Sequence, residues 1–186
     1  MDAKELRKDA RQRMDKALEA LSSELARIRT GRATTGLLDS IRVEYYGQKV
    51  QLNQVATVNV PEPRLIVIQP WEKKMLPEIE REILKSDLGL NPSNDGTMIR
   101  LSIPQLSEER RKELVKLVHK YAEDSRVAIR NIRRDVNDSL KKMEKNHELS
   151  EDELSVELEE IQKLTDEHIE KVEVIKEHKE KEVLEI

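Results

Sequence analysis

The sequence has no cysteine and no phenylalanine. One tryptophan and three tyrosines are its only aromatic side chains, 2% of 186 residues. The lack of cysteine excludes disulfides and thiolate chemistry, which accords with a reducing compartment. So few rings exclude a large aromatic core and argue against a single-strand nucleic-acid binder built on stacked bases. No apolar run approaches the roughly 20 residues of a membrane span. The opening residues, MDAKELRKDAR, contain no apolar stretch of the kind a secretory signal needs.

What fills the chain instead is charge, at 39% of residues. With aliphatic rather than aromatic apolar groups, long helices with aliphatic seams are the expected way to bury surface. The length allows one or two small domains. The net charge of −4 hides an asymmetry. Residues 1–32 carry nine Lys/Arg against six Asp/Glu, and 107–146 carry twelve against eight. Residues 150–186 carry five against fourteen. Two basic segments in an acidic chain point to an anionic partner.

Apolar periodicity divides the chain into three parts. Residues 3–30 read as a helix with Asp2 as N-cap, a seam of Leu6, Ala10, Met14, Leu18, Leu21, Leu25 and Ile28, and Gly31 as its stop. From 32 to about 104 the period shortens. Alternation over 41–46 and 50–52 with a turn at Gly47 and Gln48 predicts a hairpin, and 55–60, 65–68 and 98–103 read as strands. Pro61 and Pro63 separate two of these strands. Residues 71–85 read as a helix with Met75, Ile79, Ile83 and Leu84 on one face, and 88–96 as turns. Ser107 then caps a helix to about Asn146, and Ser150 with Glu153 forms the capping box of another. The last helix has a seam of Leu154, Leu158, Ile161, Thr165, His168, Val172 and Ile175. The expected fold is α+β: an antiparallel three-helix bundle, 1–30 with 106–186, into which a small β/α/β domain, 31–105, is inserted. Hinges are expected at Thr30, Gly31 and Arg32 and at Pro104, Gln105 and Leu106.

Catalytic and cofactor chemistry finds little support. Gly31 and Gly36 have P-loop spacing, but Leu37 and Leu38 stand where Lys and Ser/Thr are required. His119, His147, His168 and His178 are scattered, with no ligand cluster, and a lone histidine in a helix seam is expected to be structural. Asn91, Asn94, Asp95 and Gly96 lack the spacing and bidentate Glu of a calcium loop, and turn chemistry accounts for them. No cofactor or metal is implied.

One stretch breaks the simple patterning. Over 126–145, Ile129, Ile132, Val136, Leu140 and Met143 make a single stripe at about 100° per residue. Beside it lie Arg126, Arg130, Arg133, Arg134, Asn137 and Lys141, while Asp135 and Asp138 point elsewhere. One reading is a solvated face, or one neutralised by the acidic third helix. The other is phosphate binding, to which the guanidinium fork is suited. In that case the backbone of structured RNA or DNA is the expected target.

The segment RVAIRNIRR, 126–134, resembles the central signature of the bacterial ribosome recycling factor family. RTGR at 29–32, VEYYG at 43–47, PW at 70–71, SDLGLNP at 86–92, NDG at 94–96, EERR at 108–111 and QKLTD at 162–166 resemble further blocks of that family, in its order. The resemblance implies an L-shaped, two-domain, monomeric cytoplasmic protein of transfer-RNA-like dimensions. Its bundle would lie on large-subunit ribosomal RNA. With elongation factor G and GTP it would split the post-termination ribosome, without being an enzyme itself. The family's key arginines fall on Arg29, Arg130 and Arg133, supported by Arg126 and Arg134. Gln105 departs from an expected proline and Glu72 from an expected aspartate. The competing reading is a coiled-coil adaptor that docks a protein through Glu157, Glu160 and Glu167 of the acidic helix.

Overall fold

A computed structural model describes residues 2–185. The chain forms two compact units. One runs up to Thr30 and resumes over Glu108–Glu185, and the other is Gly31–Ser107.

The first unit is a bundle of three long helices, α1 (Ala3–Ala26), α3 (Glu108–Lys145) and α4 (Glu151–Leu184). Each forms for local reasons as well as for its seam. Asp2 and Glu5 make a capping box at the start of α1, and Ser150 and Glu153 make another at α4. Neither α3 nor α4 contains Gly or Pro, and α3 is 38 residues long, about 57 Å at helical rise. Between them the backbone reverses in a Schellman turn. His147, in the left-handed region at φ 62, donates its N–H to Glu144 O, and Glu148 N–H reaches Met143 O at 2.8 Å.

Ala10, Met14, Leu21 and Leu25 from α1 are buried with Leu114, Val118, Ile129, Ile132, Val136 and Leu140 from α3. From α4 come Ile161, Leu164, Val172 and Val183. Full burial of each large aliphatic side chain contributes about 1.5–3 kcal/mol. His168 is fully buried: Nδ1 lies 2.7 Å from Leu164 O and Nε2 2.9 Å from Asp15 Oδ1 on α1. Arg13 of α1 meets Asp135 of α3 at 2.8 Å. Thus α1 is antiparallel to α3 and parallel to α4.

The first helix ends earlier than its periodicity predicts. Arg27 N–H bonds to Glu24 O and Ile28 N–H to Leu25 O, so the last turn tightens and closes at Ala26 without a glycine. Ile28 is still buried, but beyond the helix. Gly31, at φ 74, therefore does not stop α1.

The second unit holds the hairpin β1 (Arg42–Tyr45) and β2 (Gln48–Gln51) and a four-stranded antiparallel sheet ordered β3-β4-β6-β5. These strands are β3 (Ala56–Glu62), β4 (Leu65–Pro70), β5 (Pro92–Asn94) and β6 (Ile99–Ser102). The helix α2 (Leu76–Lys85) completes it. Ile66, Ile68, Ile99 and Leu101 of the sheet are buried with Ile79 and Ile83 of α2.

Four details differ from expectation. The hairpin turns at Tyr46 and Gly47, both at positive φ, as a tight two-residue turn requires. Pro61 lies within β3, beside a register shift between Asn59 and Glu62 that absorbs its missing donor. A short strand, β5, lies in the region read as turns. Residues 71–85 are not one helix: Lys73–Met75 is a 3-10 turn and α2 begins at Leu76, next to Pro77. Leu76 is buried, and Leu84, about 100° round the helix from Ile83, is exposed. At the β5–β6 turn, Asp95 Oδ1 accepts from Met98 N–H first, then from Thr97 N–H and the Thr97 hydroxyl, holding its carboxyl down at about 2. This is turn chemistry. Among the described residues no group of His, Asp and Glu is placed to hold a metal ion. No described helix is long and apolar enough to cross a membrane.

Candidate functional site: an arginine edge on the helical bundle

The stripe of Ile129, Ile132, Val136 and Leu140 faces the bundle interior and sets the azimuth of every other side chain on α3. Of the arginines beside it, Arg126 and Arg133 reach α4. They are not equivalent, and the edge is not of one sign. Glu123, one turn before Arg126, stands in the same arc. Its Oε2 accepts from Arg126 Nε at 2.8 Å and its Oε1 from Arg130 Nη2 at 2.5 Å. These two hydrogen bonds, Arg126 first, hold the Glu123 carboxyl below its ordinary range.

Arg126 also pairs with Glu173 of α4, which in turn accepts from Lys176 Nζ at 2.6 Å. Its side chain is only 19% exposed, and its own pKa is raised, chiefly by Glu123. Neutralisation by the acidic helix is therefore correct for Arg126. Arg133 is different. It is half-buried, and Nη1 donates to a neutral acceptor, Gln162 Oε1, at 3.2 Å. Arg134 is exposed and has no hydrogen-bond or ion-pair partner among the described residues.

Arg29 is likewise exposed and unpartnered, but it is not part of this cluster. Ser125 Oγ donates to Ala17 O, which fixes the antiparallel level of α1 on α3. Moving forward along α1 moves back along α3. Arg29 thus lies level with the first turns of α3, roughly 30 Å along the axis from Arg133. Two separate loci result.

The expected hinge residues have definite surroundings within the second unit. A Cβ on Gly31 would come within 3.2 Å of Leu106 Cγ and 3.6 Å of Pro104 O. Ala33 N–H donates to Pro63 O at 2.7 Å and Ile103 N–H to Arg64 O at 2.8 Å. Both connecting strands are thereby tied to the β3–β4 turn, just inside Thr30–Arg32 and Pro104–Leu106. Arg32, Pro104 and Gln105 are exposed.

Two of the three acids of the adaptor reading lie near cations of the bundle, and Glu167 has no partner among the described residues. Glu157 and Glu160 both approach Arg7 of α1, at 3.9 and 3.6 Å, and Lys163 also meets Glu160. Sequence reasoning missed Glu123, Glu173 and Gln162 as determinants of the arginines' state. Only Glu123 left a local signal, three residues before Arg126 and on the same face.

Fold and site define a protein of two units, a long-helix bundle interrupted by a small sheet unit, that exposes an uncompensated arginine pair midway along one helix. A family model described as ribosome recycling factor matches residues 21–184. The ribosome-recycling factor of Geobacillus kaustophilus (strain HTA426) is 58% identical over 184 residues, covering 99% of this chain and 100% of that one. That of Bacillus subtilis (strain 168) is 53% identical with the same coverage. A solution structure of a ribosome recycling factor aligns with a TM-score of 0.72 at 43% identity, over 100% of this chain and 99% of that one. The T. thermophilus ribosome recycling factor, described with E. coli elongation factor G bound to the E. coli post-termination complex, aligns at 0.63. It is 53% identical, over 99% of this chain and 100% of that one. The chain belongs to the ribosome recycling factor family.

Proposed function

We propose that this protein is a translation factor that binds the post-termination ribosome and, with elongation factor G and GTP, splits it into subunits for another round. Family membership over nearly the whole chain carries this reading, together with the relative bound to the post-termination complex alongside elongation factor G. The protein is not itself an enzyme, because GTP hydrolysis belongs to its partner, and it works in the cytoplasm as a single chain. The bundle unit is the rod that lies on large-subunit ribosomal RNA. Arg133 and Arg134 take phosphates at its centre, Arg29 takes another nearer its far end, and Arg126 and Arg130 stand in support. Thr30–Arg32 and Pro104–Leu106 act as the hinge about which the small unit moves when the motor pushes. Phosphate contacts of this kind give salt-dependent affinity.

The test is breakdown of polysomes into subunits by the purified protein with elongation factor G and GTP. No breakdown refutes the function. Binding of Arg133→Ala to isolated large subunits tests the site: weaker binding with an unchanged melting temperature is expected, and wild-type affinity at moderate salt refutes it.

A further inference from the structure

Three positions on α3, His119, Arg126 and Arg133, are spaced seven residues apart and therefore share one edge of the helix. On the antiparallel partner α4 the matching positions run the other way. His119 Nε2 contacts Glu180, and Arg126 contacts Glu173, seven residues earlier. The same step leads from Arg126 to Arg133 on α3 and from Glu173 to Asp166 on α4. By register, Arg133 should pair directly with Asp166.

It does not. Gln162, one turn before Asp166, hydrogen-bonds to both. Its Nε2 donates to Asp166 Oδ1 at 2.8 Å, and its Oε1 accepts from Arg133 Nη1 at 3.2 Å. Both contacts require this orientation of the amide. Reversed, it would set an N–H against the guanidinium and an oxygen against the carboxylate.

We propose that Gln162 is a positioning residue that fixes Arg133 in place while insulating it from Asp166, so that Arg133 keeps its charge for an RNA phosphate. This rests on the ribosome-binding reading above. A carboxylate would take two N–H groups of the guanidinium and cancel its charge. The amide oxygen takes one of five and cancels nothing. The remaining donors stay available, and the half-buried side chain is already ordered, which lowers the entropy lost on binding. The contrast lies one heptad away, where two carboxylates, Glu123 and Glu173, hold Arg126.

Variants of the full chain, titrated with isolated large ribosomal subunits across salt concentrations, test this. Gln162→Glu should weaken binding roughly tenfold and lower the salt slope by about 1, as loss of one phosphate contact does. The melting temperature should not fall. In an Arg133→Ala background the same substitution should change nothing further, because its target is gone. Gln162→Ala frees Asp166 to take Arg133 and should give a smaller loss, recovered in the double variant Gln162→Ala with Asp166→Asn. Wild-type binding by Gln162→Glu, while Arg133→Ala binds weakly, overturns the proposal and leaves the ribosome reading intact. An undiminished Gln162→Glu effect in the Arg133→Ala background overturns it too, since that is general repulsion. Wild-type binding by Arg133→Ala itself removes the site reading on which the proposal rests.

Discussion

Arg126 and Arg133 have the same residue type, lie on the same helix edge and are separated by two turns. Arg126 is pinned between Glu123 and Glu173. Arg133 is held only by the Gln162 amide, and Arg134 beside it by nothing among the described residues. The first arrangement staples helices, and the second leaves charge available. A run of arginines is therefore not a binding site by count. Its potential is decided residue by residue, by which acids the neighbouring helix sets opposite.

Removing the uncompensated pair should give the largest effect. Arg133→Ala with Arg134→Ala is expected to weaken large-subunit binding roughly 100-fold and to flatten the salt slope by about 2, measured by co-sedimentation across a salt titration. An equal loss from Arg126→Ala would erase the distinction between the two arginines.

The second effect runs in the opposite direction. Glu123→Gln unclamps Arg130 and removes one of the two carboxylates on Arg126. Binding should tighten several-fold and the salt slope should steepen by up to about 1. Weaker binding would mean that Glu123 orders the arginines productively rather than occupying them.

Arg126→Ala should act mainly on the fold. Loss of its half-buried ion pairs is expected to cost about 1 kcal/mol, read as a fall of a few degrees in Tm, with less than a twofold change in binding.

The smallest expected signal concerns pH. Glu123 has a depressed pKa, so its pairing is fully present above the ordinary carboxylate range and is lost only as pH falls through its lowered folded value. The affinity ratio of wild type to Glu123→Gln should therefore stay constant from roughly pH 5.5 to 8. A ratio that changes within that window would place the titrating group elsewhere.

Much of the fold was legible from local rules. The seam of Ile129, Ile132, Val136 and Leu140 is buried as its spacing requires, Asp2 caps α1, and the Ser150–Glu153 capping box forms. His168 is a packed, hydrogen-bonded residue of the bundle, as expected of a histidine in a helix seam. Errors fell where a local signal competes with its surroundings. Gly31 looked like a helix stop, but α1 closes at Ala26 through its own backbone. Leu84 was read onto the core face, yet it stands about 100° round the helix from Ile83 and about 140° from Ile79, and it is exposed. Pro61 looked like a strand break, but the bulge accommodates it.

The sequence by itself determined the helices, their apolar faces and the placement of the arginines along one edge of α3. Periodicity and caps act over three or four residues, and the chain cannot alter them by folding. Which arginine keeps its charge was decided only by tertiary structure. Glu173 lies 47 residues from Arg126, and Gln162 lies 29 from Arg133. Only the antiparallel packing of α4 on α3 brings the Glu173 carboxylate to Arg126 and the Gln162 amide to Arg133. A guanidinium's electrostatics depend on groups within a few ångströms, and distance along the chain does not reveal which those are.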